Sequence, residues 1–276
     1  MTRGDSEPPV LEARGVSKTY GQGHHVRSRD ANRRALDDVD LAVAKGESLG
    51  VVGESGAGKS TLARLLLALE VPTRGTISHR GRIVSGRPER ELRDFRRDVQ
   101  IVFQDPTSSL DPRMKVHDLL AEPLRALRIE ADEGEAVRRL LAMVELPGSA
   151  ANRYAHQLSG GQRQRVAIAR SLGPSPEVLV ADEPVSALDL SVRAQIVNLL
   201  AELVRDAELT LVLVSHDLAV VRHLCRRVAV LYRGALVEVG ETEETFAAPR
   251  HDYTRELLAA APRIGSRATR PARPDR

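Results

Sequence analysis

The segment Gly53-Glu54-Ser55-Gly56-Ala57-Gly58-Lys59-Ser60-Thr61 brings together the residue types that grip phosphate. Glycines at 53, 56 and 58 let the backbone curl with its N–H groups turned inward, where they can cradle a polyanion. Lys59 reaches the β- and γ-phosphates as a point charge. The Ser60 hydroxyl is placed to ligate the magnesium that accompanies ATP or GTP, and Thr61 adds a hydroxyl near the α-phosphate. Further along the chain stand two adjacent carboxylates, Asp182 and Glu183, and then His216. Asp182 can hold magnesium and Glu183 can polarise an attacking water. A histidine beside a γ-phosphate acts as donor or positioning group. Together these residues suit the binding and hydrolysis of a nucleoside triphosphate.

Each of these groups needs an element to aim it. The apolar run Leu49 to Val52 before the glycines reads as a strand, and Leu62 to Leu69 after them as a helix. The start of that helix near Lys59 adds its positive dipole end to the phosphate position. Val178 to Ala181 forms a second apolar run that ends on Asp182-Glu183, and Thr210 to Ser215 a third that ends on His216. Four apolar residues suit a buried parallel strand, and α/β proteins place ligands at the C-terminal edge of such strands. Two structural alternatives stand beside this reading. Asp182-Glu183-Pro184 can cap the helix expected from Ser191 to Ala207, and a histidine in the position of His216 can be a satisfied core residue.

The rest of the chain supplies surroundings for that centre. Val10 to Val16 reads as an edge strand, residues 21 to 34 as a Gly/His/Arg-rich loop, and Val39, Leu41 and Val43 as the inward face of a half-buried strand. His24 and His25 read as solvated loop residues. Val99 to Phe103 reads as a buried strand ending at Gln104, followed by the Pro106 and Pro112 turns. Amphipathic helices are expected over Val116 to Leu127 and Gly134 to Val144, and another follows Leu158-Ser159-Gly160-Gly161-Gln162 as far as Leu172. The block from about 105 to 175 has no strand candidate and reads as a helical subdomain inserted in an α/β core.

Composition narrows the partners. The chain has 276 residues, 42% of them hydrophobic, enough for one α/β core with a subdomain. Aromatics make up 3% with no Trp, so stacking platforms for single-stranded nucleic acid are scarce, and no nucleic-acid partner is expected. The net charge of +3 lies largely in two Arg-rich segments. A single cysteine, Cys225, permits no internal disulfide and fits a reducing compartment. No apolar stretch reaches the length of a membrane span, and Met1 to Pro9 has no signal-peptide core.

The segment Leu158 to Gln162 resembles the signature sequence of the ATP-binding cassette (ABC) ATPases. Tyr20, Gln104, Ser186-Ala187-Leu188-Asp189 and His216 stand in the order that family shows, and the resemblance covers roughly residues 10 to 262. It implies a P-loop NTPase (RecA-like) α/β core with an antiparallel β subdomain and an inserted α-helical signature subdomain. It also implies that Tyr20 stacks on adenine, that Gly53, Ser55, Gly56, Gly58, Lys59, Ser60, Thr61 and Asp189 contribute to the ATP site, and that magnesium sits among Ser60, Gln104 and Asp182. Gln104 would sense magnesium and the attacking water, Glu183 would be the catalytic base, and His216 would contact the γ-phosphate. Ser159, Gly160, Gly161 and Gln162 would close over ATP held by another subunit in a head-to-tail dimer.

Several segments are similar to the ATPases of oligopeptide, dipeptide and nickel importers. They are Val51 to Gly56, Val102 to Pro106, Ser109 to Arg113, Ala181 to Asp189 and His251 to Leu258. The expectation is an ATPase subunit on the cytoplasmic face of the membrane. It would dock on two permease subunits, pair with itself or a sister ATPase, and be served indirectly by an extracytoplasmic solute-binding protein. The segment Gln104 to Arg113, with Ser109 and Leu110 at its surface, is the expected permease contact. Residues 263–276 form an Arg-rich tail without the cysteine-bearing extension of many peptide-type members, so nickel or another small solute stays open beside peptides. A soluble ABC ATPase of DNA repair or translation, and an exporter subunit, are the alternatives.

Overall fold

The strand that feeds the phosphate loop is buried on both faces, and this dictates the layers around it. The computed structural model describes residues 8–21, 32–105, 109–206 and 208–260. Ten strands are described: β1 (Leu11–Gly21), β2 (Asn32–Val43), β3 (Ser48–Val52), β4 (Arg74–His79), β5 (Arg82–Ile83), β6 (Val99–Val102), β7 (Val178–Asp182), β8 (Thr210–Val214), β9 (Arg227–Tyr232) and β10 (Ala235–Glu241). A six-stranded sheet runs β10-β9-β3-β8-β7-β6, with β6, β7, β8, β3 and β9 parallel and β10 antiparallel at one edge. A separate four-stranded sheet runs β2-β1-β4-β5, all antiparallel. This mixed α/β architecture agrees with the fold class implied by the sequence.

Alternation within the parallel strands sorts residues to two cores. Val178, Val180, Val212, Val214, Leu49 and Val51 face a cluster shared with the antiparallel sheet and with helix α1 (Lys59–Leu66). Leu179, Ala181, Leu211 and Leu213 face the opposite cluster. That second cluster is completed by α3 (Val116–Ala126), α4 (Glu133–Met143), α5 (Gly160–Leu172), α6 (Leu190–Asp206) and α7 (Leu218–Leu224). Two sequence features set the helix starts in this block. Asp132 accepts from Glu135 N at 2.9 Å to cap α4, and Ser159 and Gln162 form a reciprocal capping box that starts α5. The described residues end in α8 (Thr242–Ala247) and α9 (Asp252–Ala260), while α2 (Arg93–Asp98) leads into β6. Among the described residues no helix is long and apolar enough to cross a membrane.

Three local expectations are corrected. The strand expected at an edge over Val10 to Val16 is β1, which lies between β2 and β4, because β4, from beyond the phosphate loop and α1, pairs with its second edge. Conversely β6, expected to be buried, is an edge strand of the larger sheet, and Phe103 beyond it is 43% exposed. The loop expected over 21 to 34 already belongs to β1 at Gly21 and to β2 from Asn32. His24, His25, Pro106 and the tail 263–276 lie outside the described residues.

The antiparallel sheet meets the foot of β7 through a buried charged cluster. His79, at the end of β4, is 8% exposed and packs edge-on to Phe95 of α2, with ring centroids 5.5 Å apart. Its Nε2 lies 3.8 Å from Glu177 and 4.0 Å from Asp98. Glu177 is otherwise paired with Arg80 at 2.7 Å and Lys45 at 3.6 Å. Burial, opposed by Asp98 and Glu177 and reinforced by Arg80, pulls the His79 pKa below its ordinary 6.5. A depressed pKa means that the unfolded chain takes up the proton more readily than the folded one. The contribution of His79 to stability is therefore present above pH ~6.5 and lost as pH falls through the lower, folded value. In urea unfolding at pH 7.5 and pH 5, the stability difference between wild type and His79→Gln should narrow at the lower pH, with an unchanged difference counting against the cluster.

Candidate active site

The cleft at the C-terminal edge of the parallel strands has a volume of about 640 Å³ and is lined by Tyr20, Ala35, Ser55, Gly56, Gly58, Lys59, Ser60, Thr61, Gln104, Glu183 and His216. Residues separated by almost two hundred positions meet here because β3, β7 and β8 are neighbours and all point the same way. Two of the glycines are fixed by sterics. Gly53 has φ +152° and a Cβ there would sit 2.2 Å from the carbonyl oxygen of Leu231. Gly58 has φ +109° and a Cβ there would sit 2.4 Å from the carbonyl oxygen of Ala35. Both backbone conformations are ones that L side chains rarely adopt.

Lys59 is 8% exposed, and its ammonium donates to the carbonyls of Gly53 at 2.7 Å and Glu54 at 2.9 Å. Burial lowers its pKa, while Glu183, Asp182 and Glu54 pull it back up. Ser60 donates to Asp182 at 3.3 Å, which brings two hard oxygen donors together at one end of the cleft. Burial raises the pKa of Asp182, only partly offset by the Ser60 hydrogen bond. These groups fit magnesium, which takes one or two protein oxygens and fills its remaining positions with water and phosphate. Among the described residues no cluster of three or more His, Cys, Asp or Glu could cage a metal by itself.

Glu183 adopts φ +50°, an uncommon conformation for this residue, and its N–H donates to Val214 O at 2.9 Å. Its carboxylate accepts from His216 N at 3.1 Å and lies 2.8 Å from His216 Nδ1. Read along the chain, these two residues have separate tasks, and the structure joins them as a pair. Tyr20 is 37% exposed at the mouth of the cleft, with its hydroxyl donating to Glu70 at 2.6 Å and Lys18 over its ring.

The signature residues sit elsewhere. Ser159, Gly160, Gly161 and Gln162 do not line the cleft of their own chain, and neither does Asp189. Ser159 Oγ accepts from Gln162 N at 3.3 Å, and Gln162 accepts from Ser159 N at 3.1 Å. The start of α5 is thus closed on itself by its own capping box, with the Ser159 hydroxyl acting as acceptor. Gly161 allows it to approach α6, since a Cβ there would meet Val192 at 2.6 Å. Leu110, expected at the surface, is 3% exposed and belongs to the core. The same segment is tied to α5, because Arg170 donates to the Ser109 carbonyl and Ser171 to the Ile101 carbonyl at 2.6 Å.

Sequence reasoning missed Ala35, whose carbonyl shapes the loop at Gly58, and the Lys18–Glu70 anchor of Tyr20. Neither has a local signal, because both act across strands distant in the chain.

A glycine loop entering a helix at the edge of a parallel sheet, with two carboxylates at the end of β7, one strand removed from β3, defines a phosphate-loop nucleotide-binding protein. Comparison with known proteins makes this specific. Residues 36–186 match the ABC transporter family, and the chain belongs to that family and is an ABC ATPase. It is 47% identical over 259 residues to a putative peptide import ATP-binding protein of Brucella ovis, covering 93% of this chain and 80% of that one. It is also 45% identical over 261 residues to the dipeptide transport ATP-binding protein DppF of Haemophilus influenzae, covering 93% of this chain and 79% of that one. The match to the oligopeptide transport ATP-binding protein OppD of Mycobacterium tuberculosis, at 47% identity, covers 92% of this chain and 42% of that one. Among solved structures, a dimeric ATP-binding cassette in a post-hydrolysis state bound to ADP and Pi matches with a TM-score of 0.74 and 32% identity, over 84% of this chain and 98% of that one.

The contact of Gly58 with the Ala35 carbonyl generates a test. Gly58→Ala should keep the far-UV circular dichroism of the wild type but weaken ATP binding by about tenfold or more, since displacement of a binding group by about 1 Å can be that costly. Titration with a fluorescent ATP analogue measures it, and wild-type affinity would mean that the loop does not hold the phosphates.

Proposed function

We propose that this chain is the ATP-hydrolysing subunit of a multi-subunit importer that powers peptide uptake through separate permease subunits. The observation that carries this reading is the 47% identity, over 93% of the chain, to the putative peptide import ATP-binding protein of Brucella ovis. Residues 10–262 form the ATPase domain, with a helical subdomain at about 105–175. The protein works at the cytoplasmic face of the membrane as a peripheral subunit. Solutes other than peptides, nickel among them, are alternative outcomes of the uptake test below.

In this mechanism Tyr20 stacks on adenine while the phosphates are held by the Lys59 ammonium and by amides of the loop other than those of Glu54 and Ala57, which are bonded within the protein. Gly53, Gly56 and Gly58 give the loop its curvature, and Ser55 and Thr61 stand at the phosphates. Ser60, Asp182 and Gln104 hold magnesium, which when bound offsets the charge that develops on the phosphates. Glu183 orients the attacking water and draws its proton, and His216 contacts the γ-phosphate while its Nδ1 edge stays paired with Glu183. Ser159, Gly160, Gly161 and Gln162 of a second subunit, a copy of this chain or a sister ATPase, close the cleft, with Asp189 at the junction. Ser159 Oγ accepts its cap from Gln162 N, so the hydroxyl proton is available to a phosphate oxygen.

Two outcomes follow. Glu183→Gln should bind ATP with near-normal affinity but turn it over about 10²–10³ more slowly, the usual loss for one preorganised group. The same variant should dimerise with MgATP and separate with MgADP in light scattering, alone or mixed with its sister subunit. Normal turnover would remove Glu183 from the mechanism, and assembly indifferent to nucleotide would contradict the closed dimer.

The link to transport has its own test. Because Leu110 is buried, the exposed Phe103 beside the Ser109–Arg170 contact is the apolar group best placed to meet a permease helix. Phe103→Asp should abolish peptide uptake by cells while sparing basal hydrolysis by the isolated subunit. Loss of both activities would place Phe103 in the active site, and loss of neither would place the permease contact elsewhere.

A further inference from the structure

The phosphate loop has an anchor that neither its motif nor its own strand provides. Tyr253, in the first turn of α9, is 5% exposed, and its hydroxyl oxygen accepts a hydrogen bond from Glu54 N at 2.8 Å, across 199 positions of sequence. That N–H belongs to the Gly53–Glu54 peptide, whose other end, the Gly53 carbonyl, accepts from Lys59 Nζ at 2.7 Å. One planar unit is therefore held from both sides. A trans peptide fixes its C=O and N–H in opposite directions, so an acceptor that holds the N–H also sets where the C=O points. Each of the two hydrogen bonds polarises the peptide in the sense that strengthens the other.

The tyrosine is itself braced. Its ring stacks on Tyr232 at the end of β9, with centroids 4.1 Å apart, and the carbonyl of Leu231 next to Tyr232 is the atom that excludes a side chain at position 53. The start of α9 is secured on β10, where the Glu238 carboxylate accepts from Arg250 N at 2.9 Å and His251 N at 3.0 Å. His251 Nδ1 in turn accepts from Tyr253 N at 3.1 Å. Nothing in this set touches the cleft directly, because Tyr253 is absent from its lining.

We propose that Tyr253 is a positioning residue for ATP binding: through the Gly53–Glu54 peptide it holds Lys59 in place for the phosphates, which makes the C-terminal helix part of the nucleotide site. This rests on the reading of residues 53–61 as the phosphate cradle. Without the hydroxyl, the Glu54 N–H loses the acceptor that fixes it, and the peptide is free to turn and carry the lysine with it.

The test uses the full chain and the variants Tyr253→Phe, Leu257→Ala and Lys59→Ala. Tyr253→Phe keeps the ring stack and deletes the acceptor, whereas Leu257→Ala loosens the same helix without touching Glu54. Steady-state hydrolysis should show KM for MgATP raised about three- to tenfold in Tyr253→Phe, with kcat changed much less, as expected for one lost buried hydrogen bond. Leu257→Ala should lower the melting temperature and leave KM at the wild-type value. Amide hydrogen exchange supplies a second readout without turnover: the peptide spanning residues 53–61 should exchange faster in Tyr253→Phe but not in Leu257→Ala. Equal KM shifts in both variants would reduce Tyr253 to a packing residue. Unchanged KM and exchange in Tyr253→Phe, with Lys59→Ala defective in ATP binding, would overturn the anchor but leave the cradle standing. Normal ATP binding by Lys59→Ala would overturn both.

Discussion

A buried ammonium must be surrounded by polar acceptors, and much of this molecule is arranged around that demand. Lys59 lies where water is largely excluded, and a charge in such a place is costly unless polar atoms surround it. The protein supplies two backbone carbonyls of the loop itself, with the carboxylates of Asp182 and Glu183 close by. Supplying them requires that the loop turn back on itself, hence the left-handed glycines. It also requires that strands β3, β7 and β8 end together, hence the parallel sheet buried on both faces.

The same requirement gives the site an internal tension. Burial disfavours the charged forms of both Lys59 and Asp182, so the groups that would receive phosphate and magnesium are held at some cost in stability. A bound polyphosphate with its cation satisfies both at once. That is a physical reason for the site to bind its two ligands together, and for the loop to be braced from outside by β9 and α9 instead of by its own short hydrogen bonds alone.

Elsewhere the structure divides linkage from chemistry. The helical block does not reach the cleft of its own chain, yet the C-terminal end of α5 is fastened to β6 by Ser171 and to the segment after β6 by Arg170. The capping box at the other end of α5 bonds the N–H groups of Ser159 and Gln162 and uses the Ser159 hydroxyl only as an acceptor.

The glycine loop, the two carboxylates after an apolar run, and the periodicity of the helices were legible in the sequence because each is a local pattern, set by the φ/ψ needs and burial of neighbouring residues. The placement of β1 inside its sheet and β6 at an edge was not, because strand order depends on pairing between distant segments. Nor was the burial of Leu110, the pairing of His216 with Glu183, or the role of the Ala35 carbonyl at Gly58. Tyr253 is the clearest case: the segment His251 to Leu258 was recognisable as a run of letters, but only the packing of α9 against β9 brings its hydroxyl to Glu54. The sequence determined which groups could hold a nucleoside triphosphate and cleave its terminal phosphoanhydride. The tertiary structure decided how firmly each is held, because that depends on contacts between backbone and side chains that no spacing along the chain encodes.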